Sequence, residues 1–343
     1  MAFSAGLASA APARTFVGSA KCAACHPDEF RRQSATSHAR ALSPAAQHPL
    51  ATQFPIVTEL RRGAEYRFQL NLQPDRLAVT VYDSRNSLEI PVQWAFGAGG
   101  QAVTLVSRID RNWYLEHYLT YYTRLRAMGP TPGHQDRAPG SLPEAAGFVY
   151  KSRDPAAGIV QCFACHSTGP VDSSHAAIEP AEPGVHCEAC HGPGSLHAQT
   201  ADPKLISNPG RLRAAELNVF CGRCHRPPES ADGPLDWSYA WNVRHQPSHL
   251  GQSACFRKSK GALSCLSCHR PHDSAPRGQA DYNRVCASCH SAAHAETERR
   301  QGNCVDCHMP LVSPQPPLRF TNHWIGVYGS GSKLTPTARR AGQ

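Results

Sequence analysis

Eighteen consecutive apolar residues are nowhere to be found in this chain of 343, so no segment is expected to cross a bilayer as a helix. Lysine and arginine never gather into a long run either, which argues against a nucleic-acid surface despite a formal net charge of +9. Methionine is scarce, with three residues, and only 41% of the chain is hydrophobic against 26 glycines and 29 prolines. That leaves little side-chain material for a conventional core. The start, Met1 to Ala13, is small and apolar and ends in Ala-x-Ala patterns that suit a leader peptidase, but it lacks the basic n-region of a signal peptide. Residues 1–13 therefore read as a leader remnant, and the context of Cys22 does not resemble a lipoprotein site.

What the chain has in excess is cysteine, fifteen in all, fourteen of them in one repeated pattern. Cys-x-x-Cys-His occurs as Cys22, Cys25, His26; Cys162, Cys165, His166; Cys187, Cys190, His191; Cys221, Cys224, His225; Cys265, Cys268, His269; Cys286, Cys289, His290; and Cys304, Cys307, His308. Roughly 0.04 copies are expected by chance at these residue frequencies. The pattern is that of c-type haem attachment. On one helical turn, residues i, i+3 and i+4 share a face, so two thiols can bond to the vinyl groups while the imidazole reaches the iron. Zinc is the competing reading, but a zinc ribbon does not require a histidine directly after every second cysteine. The expected cofactor is therefore seven haem c groups. Cys255 is left over, either a buried thiol or a site of intermolecular bonding or haem chemistry.

Seven haems alter the charge argument. About fourteen propionates, offset by about seven ferric centres, would bring the total to roughly +2, so the basic residues read as partners for propionates. Six motifs about 25 residues apart leave little polypeptide between them, and the macrocycles must supply most of the apolar core there. Without haem that half is not expected to fold.

The expected class is α+β. An N-terminal haem segment (14–60) carries a helix over Pro27–Leu42. A β module (61–128) is inserted next, because residues around Tyr66–Leu72, Leu77–Val81, Ile90–Phe96 and Trp113–Tyr121 alternate with period two. Gly97-Ala-Gly-Gly100 within it reads as a hairpin turn. A Pro/Gly-rich linker (129–160) leads to a loop-rich, mainly α hexahaem domain (161–328) and a disordered tail (329–343). A helix over 208–220, with Leu212, Ala215 and Val219 on one side, is expected to deliver Cys221.

Nineteen histidines less seven proximal ones leave twelve for the other face of the irons. Met1 is expected to be lost and Met309 is bonded next to a proximal histidine, so only Met128 could compete. Most haems should be bis-histidine, with potentials below His/Met cytochromes. Candidates are His38, His117, His134, His197, His245, His272 and His323. His272 and His294 follow their own proximal histidines too closely to reach over the same macrocycle, so each would serve another haem. His117 and His134 are equally readable as core histidines, His249 is the alternative to His245, and His48, His175 and His186 rank last.

The runs GSAKCAACH with its downstream SHA, CFACHST, VHCEACHGPGSLH, QSACFRKS, LSCLSCHRPH, CVDCHMP and FTNHWIG resemble the multihaem cytochrome c superfamily that includes the tetrahaem electron carriers of nitrification, hydroxylamine oxidoreductase and pentahaem nitrite reductase. The resemblance covers about residues 20–40 and 160–328, not the β module. It implies parallel and perpendicular haem pairs and bis-histidine ligation. The Cys-x-x-Cys-Lys motif of the nitrite reductases is missing.

Together these point to an extracytoplasmic, periplasmic or similar, electron-transfer protein with redox proteins as donor and acceptor, among them a quinol-oxidising membrane complex. The alternative is an oxidoreductase acting on a small nitrogen or sulfur compound at one open haem. For that role His117, His134 and Tyr114, Tyr118, Tyr121 and Tyr122 are the only acid–base cluster the sequence nominates.

Overall fold

The computed structural model describes residues 13–55, 57–62, 65–111, 113–134, 138–151, 158–172, 178–226, 235–273, 278–290 and 303–337. His175, His294, most of the leader remnant and the last six residues lie outside them.

The chain opens with helices α1 (Ser19–Ala23) and α2 (Pro27–Ser34). Pro27, Asp28 and Glu29 start α2 as expected, but it stops at Ser34 and does not run on to Leu42. The cause is local: the Thr36 hydroxyl donates to the Gln33 carbonyl and accepts from the Ala39 amide, an alternative to helical bonding that hydroxyl side chains offer the backbone. His38 consequently sits on a turn.

Strands β1 (Leu42–Pro44), β2 (Val57–Arg62), β3 (Tyr66–Leu72), β4 (Leu77–Tyr82), β5 (Ser87–Val92), β6 (Trp94–Phe96), β7 (Ala102–Asp110), β8 (Trp113–Tyr122) and β9 (Ala127–Pro130) follow. Helix α3 (Leu142–Ala146) and β10 (Gly147–Lys151) complete the module. They form two antiparallel sheets, β2-β3-β4-β5 and β1-β6-β7-β8-β10, with β9 also on β8. The alternation of side chains across a strand serves two cores. Leu115 and Leu119 face Phe68, Val79 and Ile90 of the first sheet, whereas Tyr114 and Phe96 face away from it.

Two expectations are corrected here. Residues 90–96 do not make one strand. The chain crosses between sheets at Gln93, whose carbonyl accepts from the Ala45 amide and whose Oε1 accepts from the Arg108 amide. Nor do the described residues of 129–160 all run as irregular chain. Residue by residue β10 pairs with β8, from Gly147 opposite His117 to Lys151 opposite Trp113, and a Cβ at Gly147 would collide with the Glu116 carbonyl.

The remaining half is short helices and loops: α4 (Ile159–His166), α5 (Cys187–His191), α6 (Ser195–Thr200), α7 (Ala214–His225), α8 (Gln246–Gln252), α9 (Ala254–Lys258), α10 (Cys265–Cys268), α11 (Gln279–Ala287) and α12 (Cys304–His308). The hairpins β11 (Ser167–Asp172) with β12 (Glu179–Pro183), and β13 (Leu311–Val312) with β14 (Phe320–Thr321), lie among them. The fold is α+β. Helix α7 starts at Ala214, and Leu217 and Asn218 are buried in place of Leu212, Ala215 and Val219. Asn218 Nδ2 donates to the Pro247 carbonyl at 2.9 Å, which ties α7 to α8 by that face.

Two long-range clasps hold the half together. The buried carboxylate of Glu188 accepts from the amides of Val17, Gly18 and Gly194 at 2.8–3.0 Å, fixing the N-terminal arm on α5. Phe163 of α4 packs edge-on against Trp94, Phe96 and Tyr114, fixing α4 on the sheet. The tail expected to be disordered from 329 is partly engaged, since Asn322 Nδ2 donates to the carbonyls of Lys333 and Leu334.

Candidate cofactor-binding site

The motif residues sit on short helical turns, which their backbone bonds make explicit. His26 N donates to Cys22 O at 2.9 Å, His269 N to Cys265 O at 2.9 Å and His290 N to Cys286 O at 3.0 Å. Each closes the i to i+4 turn that sets thiols and imidazole on one face. Residues of every motif from Cys165-His166 onward line one continuous cavity of about 3230 Å³. The first motif lies beside it.

Imidazoles meet in pairs, three of them lining this space and one, His26 with His197, beside it. The ring centroids of His26 and His197 are 6.2 Å apart, those of His38 and His225 5.9 Å, of His191 and His272 5.9 Å, and of His269 and His323 6.1 Å. An imidazole nitrogen stands about 2 Å from a bound transition metal, so two rings facing across one ion have centroids about 6 Å apart. The four pairs fit a bis-histidine iron, and each joins a proximal histidine to one of the sequence candidates. The planes are within 34° of parallel in three pairs and 74° apart in His38–His225.

The other ring nitrogen is often anchored. Nδ1 of His166 donates to the carbonyl of Ala41 (3.0 Å), His191 to Ser207 (2.7 Å), His197 to Asp202 (3.0 Å), His308 to Gly326 (2.8 Å) and His323 to Thr321 (3.0 Å). A carbonyl can only accept, so the proton is on Nδ1 and the lone pair on Nε2 points outward, the arrangement of metal-bound histidine. Burial, reinforced by neighbouring histidines, holds His225 and His323 down to about 4, and burial lowers His38, His166 and His272. Neutral imidazole is the form that ligates.

Sequence reading did not single out two arginines. Arg226 and Arg244 both border the cavity and make no ion pair among the described residues. Burial and the adjacent Arg226 hold Arg244 below the usual guanidinium range, and its guanidinium lies over Phe320. Two unneutralised cations facing an apolar hollow suit carboxylates brought by the cofactor. The only signal in the sequence was that Arg226 directly follows a proximal histidine.

Thiols of different motifs also approach one another. Cys22 has Cys187 in its vicinity, Cys165 has Cys224, Cys221 has Cys265 and Cys286 has Cys304. Burial, with Cys187 and Glu188 nearby, pushes Cys22 up to about 11. Burial, with Cys304 nearby, does the same to Cys286. Cys255 borders the cavity near Cys286 and Cys289.

Of the distal candidates, His38, His272 and His323 line this space and His197 faces His26 beside it, whereas the other three are held elsewhere. His117 is fully buried in the module, its Nε2 2.6 Å from Ser107 Oγ, because it faces inward on β8. His134 is equally buried, with Nε2 3.1 Å from Glu116 Oε2 and its ring stacked on Phe148. His245 immediately precedes α8 and its four-on neighbour His249 bonds Asn322 Oδ1 at 2.7 Å, and neither borders the cavity. His48 holds the Gly97 carbonyl and His186 the Pro183 carbonyl. Tyr114, Tyr118, Tyr121 and Tyr122 are packed into the sheets, so the cluster nominated for acid–base work is core.

Family models match two stretches: the doubled CXXCH motif over residues 258–295 and cytochrome c554 and c-prime over residues 144–192. No curated protein matches. Among solved structures, the outer cell wall cytochrome OcwA is similar at 15% identity with a TM-score of 0.51, over 90% of this chain and 79% of its own. An undecahaem cytochrome from the S-layer of Carboxydothermus ferrireducens aligns at 17% identity and a TM-score of 0.46, over 83% of this chain and 44% of its own. At these identities the first likeness is one of fold.

Proposed function

We propose, from the premise that the chain is a multihaem c-type cytochrome, that it carries electrons through seven covalently bound haems, most of them bis-histidine. Haem supplies the reversible one-electron change, while the polypeptide supplies spacing, ligation and electrostatics. In this reading the cysteines of the seven motifs anchor the macrocycles. His26, His166, His191, His225, His269, His290 and His308 are proximal ligands, and His197, His38, His272 and His323 are the opposite ligands for the first, fourth, third and fifth motifs. The carbonyls on Nδ1 orient the rings, and Arg226 and Arg244 hold propionates. The observation that carries the reading is the set of four imidazole pairs with centroids 5.9–6.2 Å apart.

Covalent haem attachment of this kind is made outside the cytoplasm, and the OcwA fold belongs to a protein described as an outer cell wall cytochrome. Both support an extracytoplasmic site of action, and redox proteins, including a quinol-oxidising membrane complex, are the partners this reading proposes. Protein from a cytochrome-maturing host should show a Soret band and the mass of the chain plus seven haems. Its potentials should lie mostly below those of His/Met haems. A mass equal to the bare chain would refute the proposal.

A further inference from the structure

We propose that one loop, Thr321 to Gly326, is a common mount for two haem irons, and that His249, Ser253 and Asn322 are the positioning residues that hold it. The inference rests on the electron-carrying reading above and adds which side chains outside the motifs set the ligation.

The loop reaches two haem sites. From its middle, His323 faces His269 of the fifth motif at 6.1 Å, with the ring planes 24° apart and Nδ1 on the Thr321 carbonyl at 3.0 Å. At its end, Gly326 holds His308 of the seventh motif at two points. Its carbonyl accepts from His308 Nδ1 at 2.8 Å, and its amide donates to the His308 carbonyl at 3.1 Å. His323 and Gly326 border the cavity, as do His269 and His308.

The three side chains that fix this loop do not border the cavity, and each is at most 1% exposed. Asn322 Nδ2 donates to the carbonyls of Lys333 and Leu334, both at 2.9 Å, while its Oδ1 accepts from the Trp324 amide at 2.9 Å. Those partners fix which way the amide points, so in the 2.7 Å bond between Oδ1 and His249 Nδ1 the histidine is the donor. Trp237 and Trp324 close edge-on upon the His249 ring, at 5.0 and 6.3 Å. One turn further on, the Ser253 hydroxyl accepts from the Ile325 amide at 2.7 Å and donates to the His323 carbonyl at 3.1 Å. Residues 322 to 325 are thus each tied from behind. His249, which the sequence offered as a ligand, holds a ligand's loop instead.

The consequence is electronic. A carbonyl on the outer nitrogen makes a ligating imidazole more basic, which favours ferric iron. Here both carbonyls, those of Thr321 and Gly326, belong to one loop. Loosening it should weaken both bonds together and raise two potentials.

The test is a spectroelectrochemical titration of the matured full-length protein carrying His249→Ala. The waves of the Cys265/Cys268 and Cys304/Cys307 haems should both move upward, and the rest should stay. The first is the wave that His323→Met moves, and the second is the one lost when Cys304→Ala is combined with Cys307→Ala. His249→Asn, whose side-chain amide can still donate to Asn322 Oδ1, should return both waves to their wild-type positions. Failure to return them overturns the role given to His249. A single moved wave refutes the common mount, and so does movement beyond these two; no moved wave refutes the positioning roles. Should His249→Ala not fold, Ser253→Ala, which strands the Ile325 amide, is read by the same outcomes. A wild-type protein with no haem wave at all would instead refute the electron-carrying reading itself.

Discussion

On the bis-histidine reading, each facing imidazole pair would make its ligand exchangeable one centre at a time. His323 faces His269 with its Nδ1 anchored on the Thr321 carbonyl, so His323→Met should raise the potential of the Cys265/Cys268 haem alone. Methionine–histidine ligation is the higher-potential arrangement, and a spectroelectrochemical titration would show one wave moving upward. The steep 74° inclination of His38 to His225 sets that centre apart from the other three. Its low-spin paramagnetic resonance signal should be the most anisotropic of the four. His117 offers a different residue-scale test, because burial depresses it from 6.5 to about 3. A base depressed by folding contributes its stability fully above the unfolded pKa and loses it as pH falls toward the folded one. Between pH 7 and pH 5 the β module should lose about 2 kcal/mol from this group, and His117→Gln should flatten that slope in denaturant melts.

At the scale of elements, the sequence was informative where one physical signal dominated. The period-two runs placed most strands of the module, and the repeated motif placed the helical turns. It was uninformative where tertiary partners overrode the pattern. The crossing at Gln93 is set by Ala45 and Arg108, far away in the chain. A proline- and glycine-rich stretch became sheet because β8 offered an open edge to β10. The inner face of α7 was misread for the same reason, with Pro247 choosing Asn218. The histidines show a like division: the sequence offered His38, His197, His272 and His323 together with His117 and His134, and only the fold separates the four that face a motif histidine from the two buried in the sheets. Phe163, fully buried between Trp94, Phe96 and Tyr114, joins the two halves. Phe163→Ala should cost about 3–5 kcal/mol and release α4 from the sheet, read as a drop in the unfolding midpoint. Glu188→Ala, which strands the amides of Val17, Gly18 and Gly194, should loosen the N-terminal arm. Faster proteolysis ahead of Cys22 would report it.

For the whole molecule, charge is the simplest readout of the cofactors. The bare chain carries +9, and on the proposed count of seven ferric haems the total would fall to roughly +2. Isoelectric focusing should therefore place the matured protein well to the acidic side of the unmatured one, and full reduction should move it further. On the same proposal the cofactors would fill the 3230 Å³ hollow. Protein made without haem maturation should accordingly keep the two sheets and lose the helical half to limited proteolysis.

The pairing of His26 with His197 also has a consequence for biogenesis. A chain threaded outward from its N-terminus presents Cys22 and Cys25 to the attachment machinery long before His197 has emerged. On the proposed ligation the earliest haem to be fastened would wait, with one axial position unfilled, until about half of the polypeptide had followed it out. A stalled export intermediate ending before His197 should hold that haem in a high-spin state, and release of the stall should convert it.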